Sequence, residues 1–193
     1  MSDPEIRRGR EEDLPAIQAI YAHYVLETAI TFDIAVPTLT ERRSWFSHFA
    51  PSGRHQLFVA EARGAVVGYA CTRPFRDKAA YDPTVETSVY LSEAARGSGL
   101  GRRLYAQLFA ALEDEDVHLA VAGITLPNDA SVALHERFGF ARVGVMREVG
   151  RKLGRFWDVL WMERPLGRSL HAPGVRAERH GGDDEQHRQG TEL

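Results

Sequence analysis

The stretch ETSVYLSEAARGSGLGRRLY, Glu86 to Tyr105, reads as strand, glycine loop and helix, and the rest of the chain is organised around it. From Glu86 to Leu91 the residues alternate and are rich in Val, Tyr and Thr, as a half-buried strand requires. Leu100, Leu104, Leu108, Ala111 and Leu112 then recur at helical spacing. Between them lies Arg96-Gly97-Ser98-Gly99-Leu100-Gly101. Glycines at alternate positions let a ligand approach the backbone, and amides at a helix start carry partial positive charge, so the loop suits phosphate oxygens. Arg102 and Arg103 fall in the first helical turn, where a cation opposes the helix dipole unless an anion is bound there. A plain turn followed by solvent-facing arginines is the alternative. No Lys-Ser/Thr follows the loop, so it is not a P-loop, and its GxGxG spacing differs from the dinucleotide fingerprint GxGxxG. ATP and nicotinamide cofactors fall in rank accordingly.

Working outward, 193 residues suffice for one domain with a sizeable core and a tail. A net charge of -3 and a pI near 6.2 give no bulk attraction to nucleic acid or to an anionic membrane, so neither is expected as a partner. The single cysteine, Cys71, excludes an internal disulfide and a cysteine-built metal site. In the apolar run Val66 to Cys71 it reads as a small buried hydrophobe. The N-terminal MSDPEIRR lacks an apolar signal region, and no run approaches the roughly 18 apolar residues of a membrane span. A cytoplasmic protein without a metal is the expectation.

Upstream of the central unit, Ile6 to Arg8 reads as a short strand. Asp13 then caps a helix that carries Ile17, Ile20, Tyr21, Tyr24 and Val25 on one face. Glu27 to Pro37 has no clean period and reads as a loop, whose Phe32 either joins the core or faces a ligand. A second helix spans Thr40 to Phe49, and Gln56 to Ala62 and Val66 to Thr72 form a hairpin about Arg63-Gly64. Arg73 to Pro83 is too polar and proline-broken for a strand. Downstream come a strand Leu119 to Thr125, a helix from Pro127-Asn128 to Phe138 stopped by Gly139, and strands Ala141 to Val149 and Phe156 to Glu163. The last strand is apolar on both faces, so both should be covered. From Gly167 onward apolar residues are few, and residues 167–193 read as a disordered tail. The order implies a mixed sheet covered by helices, one layered α/β domain over residues 1–166.

Two signatures in order resemble the GCN5-related N-acetyltransferases: the loop Arg96 to Gly101 matches R/Q-x-x-G-x-G/A, and NDASVALHERFGF, Asn128 to Phe140, resembles the second signature. Within that superfamily the likeness is greatest to enzymes acting on phosphinothricin, methionine sulfoximine and methionine sulfone. It is densest in AYDPTVETSVYLS, in ITLPNDASVALHERFGF and in Trp157-Asp158. The resemblance implies a central, mostly antiparallel sheet flanked by helices, with acetyl-CoA as co-substrate. It implies that pantetheine lies along Val89, Tyr90 and Leu91 in a splayed gap, pyrophosphate on the amides of Arg96, Gly97, Ser98, Gly99, Leu100 and Gly101, and Asn128 and Ser131 near the thioester.

Glu86 matches the family's catalytic carboxylate, and an amine must lose a proton before it attacks a thioester. Alternation places Glu86 on the strand face of Ser88 and Tyr90. His135 stands where the wider superfamily often has a tyrosine, and acts as general acid, as an aid to Glu86, or as a satisfied helix histidine. For a small amino-acid acceptor the resemblance implies Phe32, Arg76, Lys78 and Tyr81 as the pocket, with two cations for an α-carboxylate and a polar head. Lys78 stands where enzymes of that branch commonly have arginine, and supplies a point charge without the fork. Rival functions are acetylation of a protein N-terminus or an amine antibiotic, and acetyl-CoA sensing without turnover. The two-faced strand and the likeness together suggest a homodimer.

Overall fold

Strand and helix periods divide the chain cleanly in the computed structural model, which describes residues 3–167. The strands are β1 (Glu5–Arg8), β2 (Leu57–Ala62), β3 (Ala65–Pro74), β4 (Thr84–Leu91), β5 (Leu119–Thr125), β6 (Ala141–Lys152) and β7 (Arg155–Pro165). The helices are α1 (Leu14–Glu27), α2 (Leu39–Phe46), α3 (Leu100–Leu112) and α4 (Asp129–Arg137). All seven strands form one sheet in the order β1-β2-β3-β4-β5-β7-β6, and β4–β5 is the parallel pair in an otherwise antiparallel ladder. The expected mixed, mostly antiparallel α/β domain is therefore present.

Why β2 lacks alternation follows from what covers it. Leu57 and Val59 pack with Ile17 and Tyr24 of α1, while Phe58 and Ala60 pack with Leu104 and Leu108 of α3. A strand buried on both faces reads as a continuous apolar run. Burying Leu104 and Leu108 in full contributes about 1.5–3 kcal/mol each, which fixes α3 and hence the glycine loop at its start. The hairpin turn forms as expected, with Arg63 at φ 54 and Gly64 at φ 75, the positive angles of a tight two-residue loop.

Several expectations are corrected. Asp13 makes no capping bond to α1; its carboxylate is taken by Arg7 Nη1 and Nη2, both at 2.8 Å. Its Oδ2 also accepts the Arg10 N–H at 2.8 Å, so the carboxylate closes the turn before the helix instead of capping the helix itself. The second helix starts earlier, at Leu39, because Thr38 and Glu41 form a reciprocal capping box, and it ends at Phe46. β3 continues two residues past Thr72 to Pro74. Proline is tolerated there because it stands at the strand's end. On β7, Leu160, Met162 and Val159 are buried but Phe156 is exposed, so only the middle of that strand is covered on both faces. The expected tail lies outside the described residues beyond Gly167. Among the described residues no helix is long and apolar enough to cross a membrane.

Candidate active site

The parallel pair β4–β5 is where the sheet opens. Its pairing stops at Glu86 opposite Val121, although β4 runs on to Leu91 and β5 to Thr125. Helix α4 stands over the gap, and Val89, Tyr90, Asn128, Ser131 and His135 line it. The N–H and C=O of a residue in an antiparallel strand point to one edge and alternate along it. Ser92 N–H bonds Val67 of β3, and Leu91 turns the other way, where Tyr24 Oη donates to its carbonyl at 2.7 Å and accepts from its N–H at 3.3 Å. Val89, two residues back, presents its N–H and C=O to the same open edge. Of the stretch Val89 to Leu91 expected to face the gap, Val89 offers backbone groups that no strand pairs among the described residues, Tyr90 turns its own toward β3, and Leu91 is already satisfied by Tyr24.

The glycine loop sits below the gap, at the start of α3. Gly97 at φ 73 and Gly99 at φ 81 adopt a left-handed backbone that side chains resist, and an added Cβ at either would meet nothing within 4 Å. Conformation, not crowding, selects glycine at these two. Gly101 is different: its φ is ordinary, and a Cβ would touch Leu134 at 3.6 Å and Leu91 at 3.8 Å. Among the described residues the N–H groups of Gly97, Ser98, Gly99, Gly101 and Arg102 find no acceptor, and Leu100 N–H reaches only Ser98 Oγ at 3.5 Å. Arg96 N–H is bonded to Glu93, and its guanidinium lies 5.2 Å from the Tyr24 ring centre. Arg103 turns to Asp3 and Pro4. The loop is thus a nest of outward amides, a geometry that favours anions.

On the opposite face of β4, Glu86 lines a cavity of about 410 Å³ with Phe32, Arg73, Arg76, Tyr90 and Trp161. Burial pushes its carboxyl above the usual range, opposed by the positive charges of Arg73 and Arg76. Arg73 is the residue the sequence reading missed. Because β3 extends to Pro74, Arg73 pairs in register with Glu86, and its Nη2 lies 4.0 Å from Oε2. Lys78 is not among the cavity's walls; it begins the short turn Ala79–Tyr81 after β3. The cations that line the cavity are Arg73 and Arg76; of the expected pair, Arg76 and Lys78, the first is among them. Tyr81 also stays outside, its ring edge-on to Phe75, which is edge-on in turn to Trp161 of the wall.

Phe32 does reach the cavity, against Gly150 of β6. Its loop is held by Lys152, which is 5% exposed and donates from Nζ to the carbonyls of Thr31 at 2.7 Å and Tyr24 at 3.2 Å. Burial lowers the Lys152 ammonium. Nothing in the sequence marked this lysine, since a lysine beside a Leu-Gly turn reads as solvated charge.

His135 is 3% exposed and fully engaged. Nδ1 lies 2.7 Å from the Ser131 carbonyl, an acceptor only, so Nδ1 carries the proton and Nε2 accepts from Tyr105 Oη at 2.9 Å. Burial lowers its pKa and keeps it neutral. Of the three roles left open, the satisfied helix histidine fits this geometry, with its ring forming part of the gap wall. Asn128 Oδ1 accepts from Ser131 N–H and caps α4. Cys71 is buried, its thiol pushed up to about 11 by burial, as befits a core residue and not a nucleophile.

Comparison with known proteins agrees with this geometry. The acetyltransferase (GNAT) domain family matches residues 6–161. A phosphinothricin N-acetyltransferase from Streptomyces coelicolor is 50% identical over 167 residues, covering 86% of this chain and 98% of the relative. An L-methionine sulfoximine/L-methionine sulfone acetyltransferase from Pseudomonas paraeruginosa is 37% identical over 168 residues, covering 87% and 98%. The crystal structure of a GNAT superfamily phosphinothricin acetyltransferase from Sinorhizobium meliloti, in complex with acetyl-CoA, superposes with a TM-score of 0.81 at 34% identity, covering 91% of this chain and 95% of that one.

Proposed function

Because the chain belongs to the GNAT family of acetyltransferases and resembles its phosphinothricin-acetyltransferase branch, we propose that it transfers acetyl from acetyl-CoA to the α-amine of a small amino acid, with Glu86 as general base. The observation that carries this is the meeting of two spaces: the β4–β5 gap and the Glu86 cavity share Ile30, Thr87, Ser88, Tyr90, Gly123 and Thr125. A thioester in one and an amine in the other would meet at the centre of β4.

The residues fit acetyl-CoA, which supplies the acetyl group as an activated thioester. The N–H groups of Gly97, Ser98, Gly99, Gly101 and Arg102, without an acceptor among the described residues, are donors for its pyrophosphate. Pantetheine takes the place of the missing strand beside Val89. The Val89 N–H, turned to the gap, donates to the carbonyl oxygen on which charge develops. Glu86 takes the ammonium proton so that the amine attacks as the free base, and its raised pKa brings it nearer the working pH. Arg73 and Arg76 hold the acceptor's carboxylate and polar head, and Phe32 and Trp161 supply apolar walls. His135 and Tyr105 are tied to each other and shape the gap without exchanging protons with the reactants. Attack is direct, since Cys71 is not available for a covalent intermediate.

A second copy is the natural cover for edge strand β6, where Val143, Val145, Met146 and Val149 are exposed; we read the protein as a homodimer, placed in the cytoplasm. A thiol-release assay over phosphinothricin, methionine sulfoximine, methionine sulfone, ordinary amino acids, an amine antibiotic and a peptide amine tests the function. The reading expects the first three to lead by specificity constant. Preference for the peptide or antibiotic would move the acceptor class, and acetyl-CoA binding without turnover on any amine would leave a sensing module.

A further inference from the structure

A second cavity of about 390 Å³ lies between α2, the loop before it and the sheet, and it shares Tyr21, Asp33, Arg73, Ser88 and Tyr90 with the Glu86 cavity. Its other walls include Arg42, Trp45 and Tyr69. Arg42 is 4% exposed, and its guanidinium carbon sits 4.6 Å from the Tyr21 ring centre and 4.8 Å from that of Trp45. Among the described residues no nitrogen of that guanidinium meets an acceptor, and Nε and Nη2 are buried without one. A buried cation left unpaired is costly, so an anion in reach relieves it.

The other polar groups of the chamber divide into donors and two carboxylates. The hydroxyls of Tyr69 and Tyr90 make no hydrogen bond among the described residues, and both side chains line the chamber. The two carboxylates at its rim are already engaged, Asp33 by Tyr21 Oη at 2.7 Å and Glu41 by the N–H and hydroxyl of Thr38 at 2.7 and 2.8 Å. Each carboxylate is tied through one oxygen, Asp33 Oδ2 to Tyr21 and Glu41 Oε2 to the cap at Thr38, which leaves the buried Arg42 guanidinium and the two tyrosine hydroxyls as the donors for an oxyanion. From the Arg73–Glu86 pair to the chamber's near wall, the Cys71–Ser88 pair, is a step of about 7 Å along the strands, the span of five or six bonds of an extended chain, and the Tyr69–Tyr90 pair lies a second such step on.

Resting on the N-acetyltransferase reading, we propose that the acceptor site has two chambers, and that the Arg42–Arg73–Tyr69 chamber receives the terminal anion of a longer α-amino acid while its amine stays at Glu86. The acceptor range thus extends beyond the three-bond side chains of phosphinothricin and methionine sulfone to α-amino acids with an ω-carboxylate or phosphonate on a side chain of four or five bonds.

The test measures kcat/KM for L-aspartate, L-glutamate, L-2-aminoadipate and L-2-aminopimelate, with L-norleucine and methionine sulfone beside them. The chamber predicts a rise along the acid series and an advantage of about tenfold or more for 2-aminopimelate over norleucine, the scale of one charge-assisted hydrogen bond. Arg42→Gln should erase that advantage. Where it fails to fold, Tyr69→Phe, which only deletes a hydroxyl, should lower the ratio of 2-aminopimelate to methionine sulfone by roughly three- to tenfold. A flat or falling acid series, or Tyr69→Phe lowering both acceptors equally, overturns the chamber alone. No thiol release with any acceptor overturns the acetyltransferase reading with it.

Discussion

Gly150→Ala is a one-methyl change that tests how the acceptor wall is built. An added Cβ would lie 2.1, 2.4 and 2.6 Å from Phe32 Cε2, Cζ and Cδ2. Carbon atoms pack at about 3.5–4.0 Å, so the ring must retreat by about 1.5 Å or more. The loop cannot carry it away, because Lys152 holds the carbonyl of the neighbouring Thr31. The ring must therefore swing within the cavity, and a displacement of about 1 Å in a positioning group can cost on the order of 10²-fold. We expect acceptor kcat/KM to fall by about ten- to a hundredfold with the Michaelis constant for acetyl-CoA nearly unchanged. Stability should drop by no more than about 1–2 kcal/mol, since Phe32 is already 38% exposed. The control is a double-mutant cycle: in a Phe32→Ala background, Gly150→Ala has no ring to displace and should add almost nothing. An unchanged acceptor constant in the folded single variant, or an equal loss in both backgrounds, refutes the reasoning.

Gly99→Val should raise the Michaelis constant for acetyl-CoA far more than that for the amine, because a left-handed φ of 81 costs a branched residue at least about 1–2 kcal/mol and turns the loop's amides away; equal acetyl-CoA constants in steady-state kinetics would remove the loop from the binding site. His135 has a lowered folded pKa, so its contribution to stability is present above the ordinary value near 6.5 and is lost as pH falls below it. Thermal melts between pH 7 and 5 should show that loss in the wild type and a shallower slope in His135→Gln; identical slopes would mean the ring is not buried neutral.

Much of the fold was legible because the main elements are defined by local pattern. The amphipathic period of α3, the Arg63-Gly64 turn and the two signature motifs each act within a few residues. The site was less so. Glu86, Phe32 and Arg76 came from the family resemblance and are brought together, whereas Arg73 was passed over because the segment from Arg73 to Pro83 reads as too polar and proline-broken for a strand. Only the cross-strand register reveals that Arg73 opposes Glu86. Lys152 and Arg42 were illegible for a related reason: each is a charged residue in a polar local context, and its burial comes from segments distant in the chain. The engagement of Leu91 by Tyr24 spans 67 positions and leaves no trace in spacing.

The central claim is that Glu86 takes the proton from the amine. The pH dependence of acceptor kcat/KM in the wild type and in Glu86→Gln, with acetyl-CoA binding measured in parallel, tests it most directly. A base must be ionised, so wild-type activity should rise with pH through an acid limb set above the ordinary glutamate value by burial. Glu86→Gln should lose that limb and about 10²- to 10⁴-fold in turnover while acetyl-CoA affinity is retained. Wild-type turnover in Glu86→Gln from pH 6 to pH 9 would contradict the assignment.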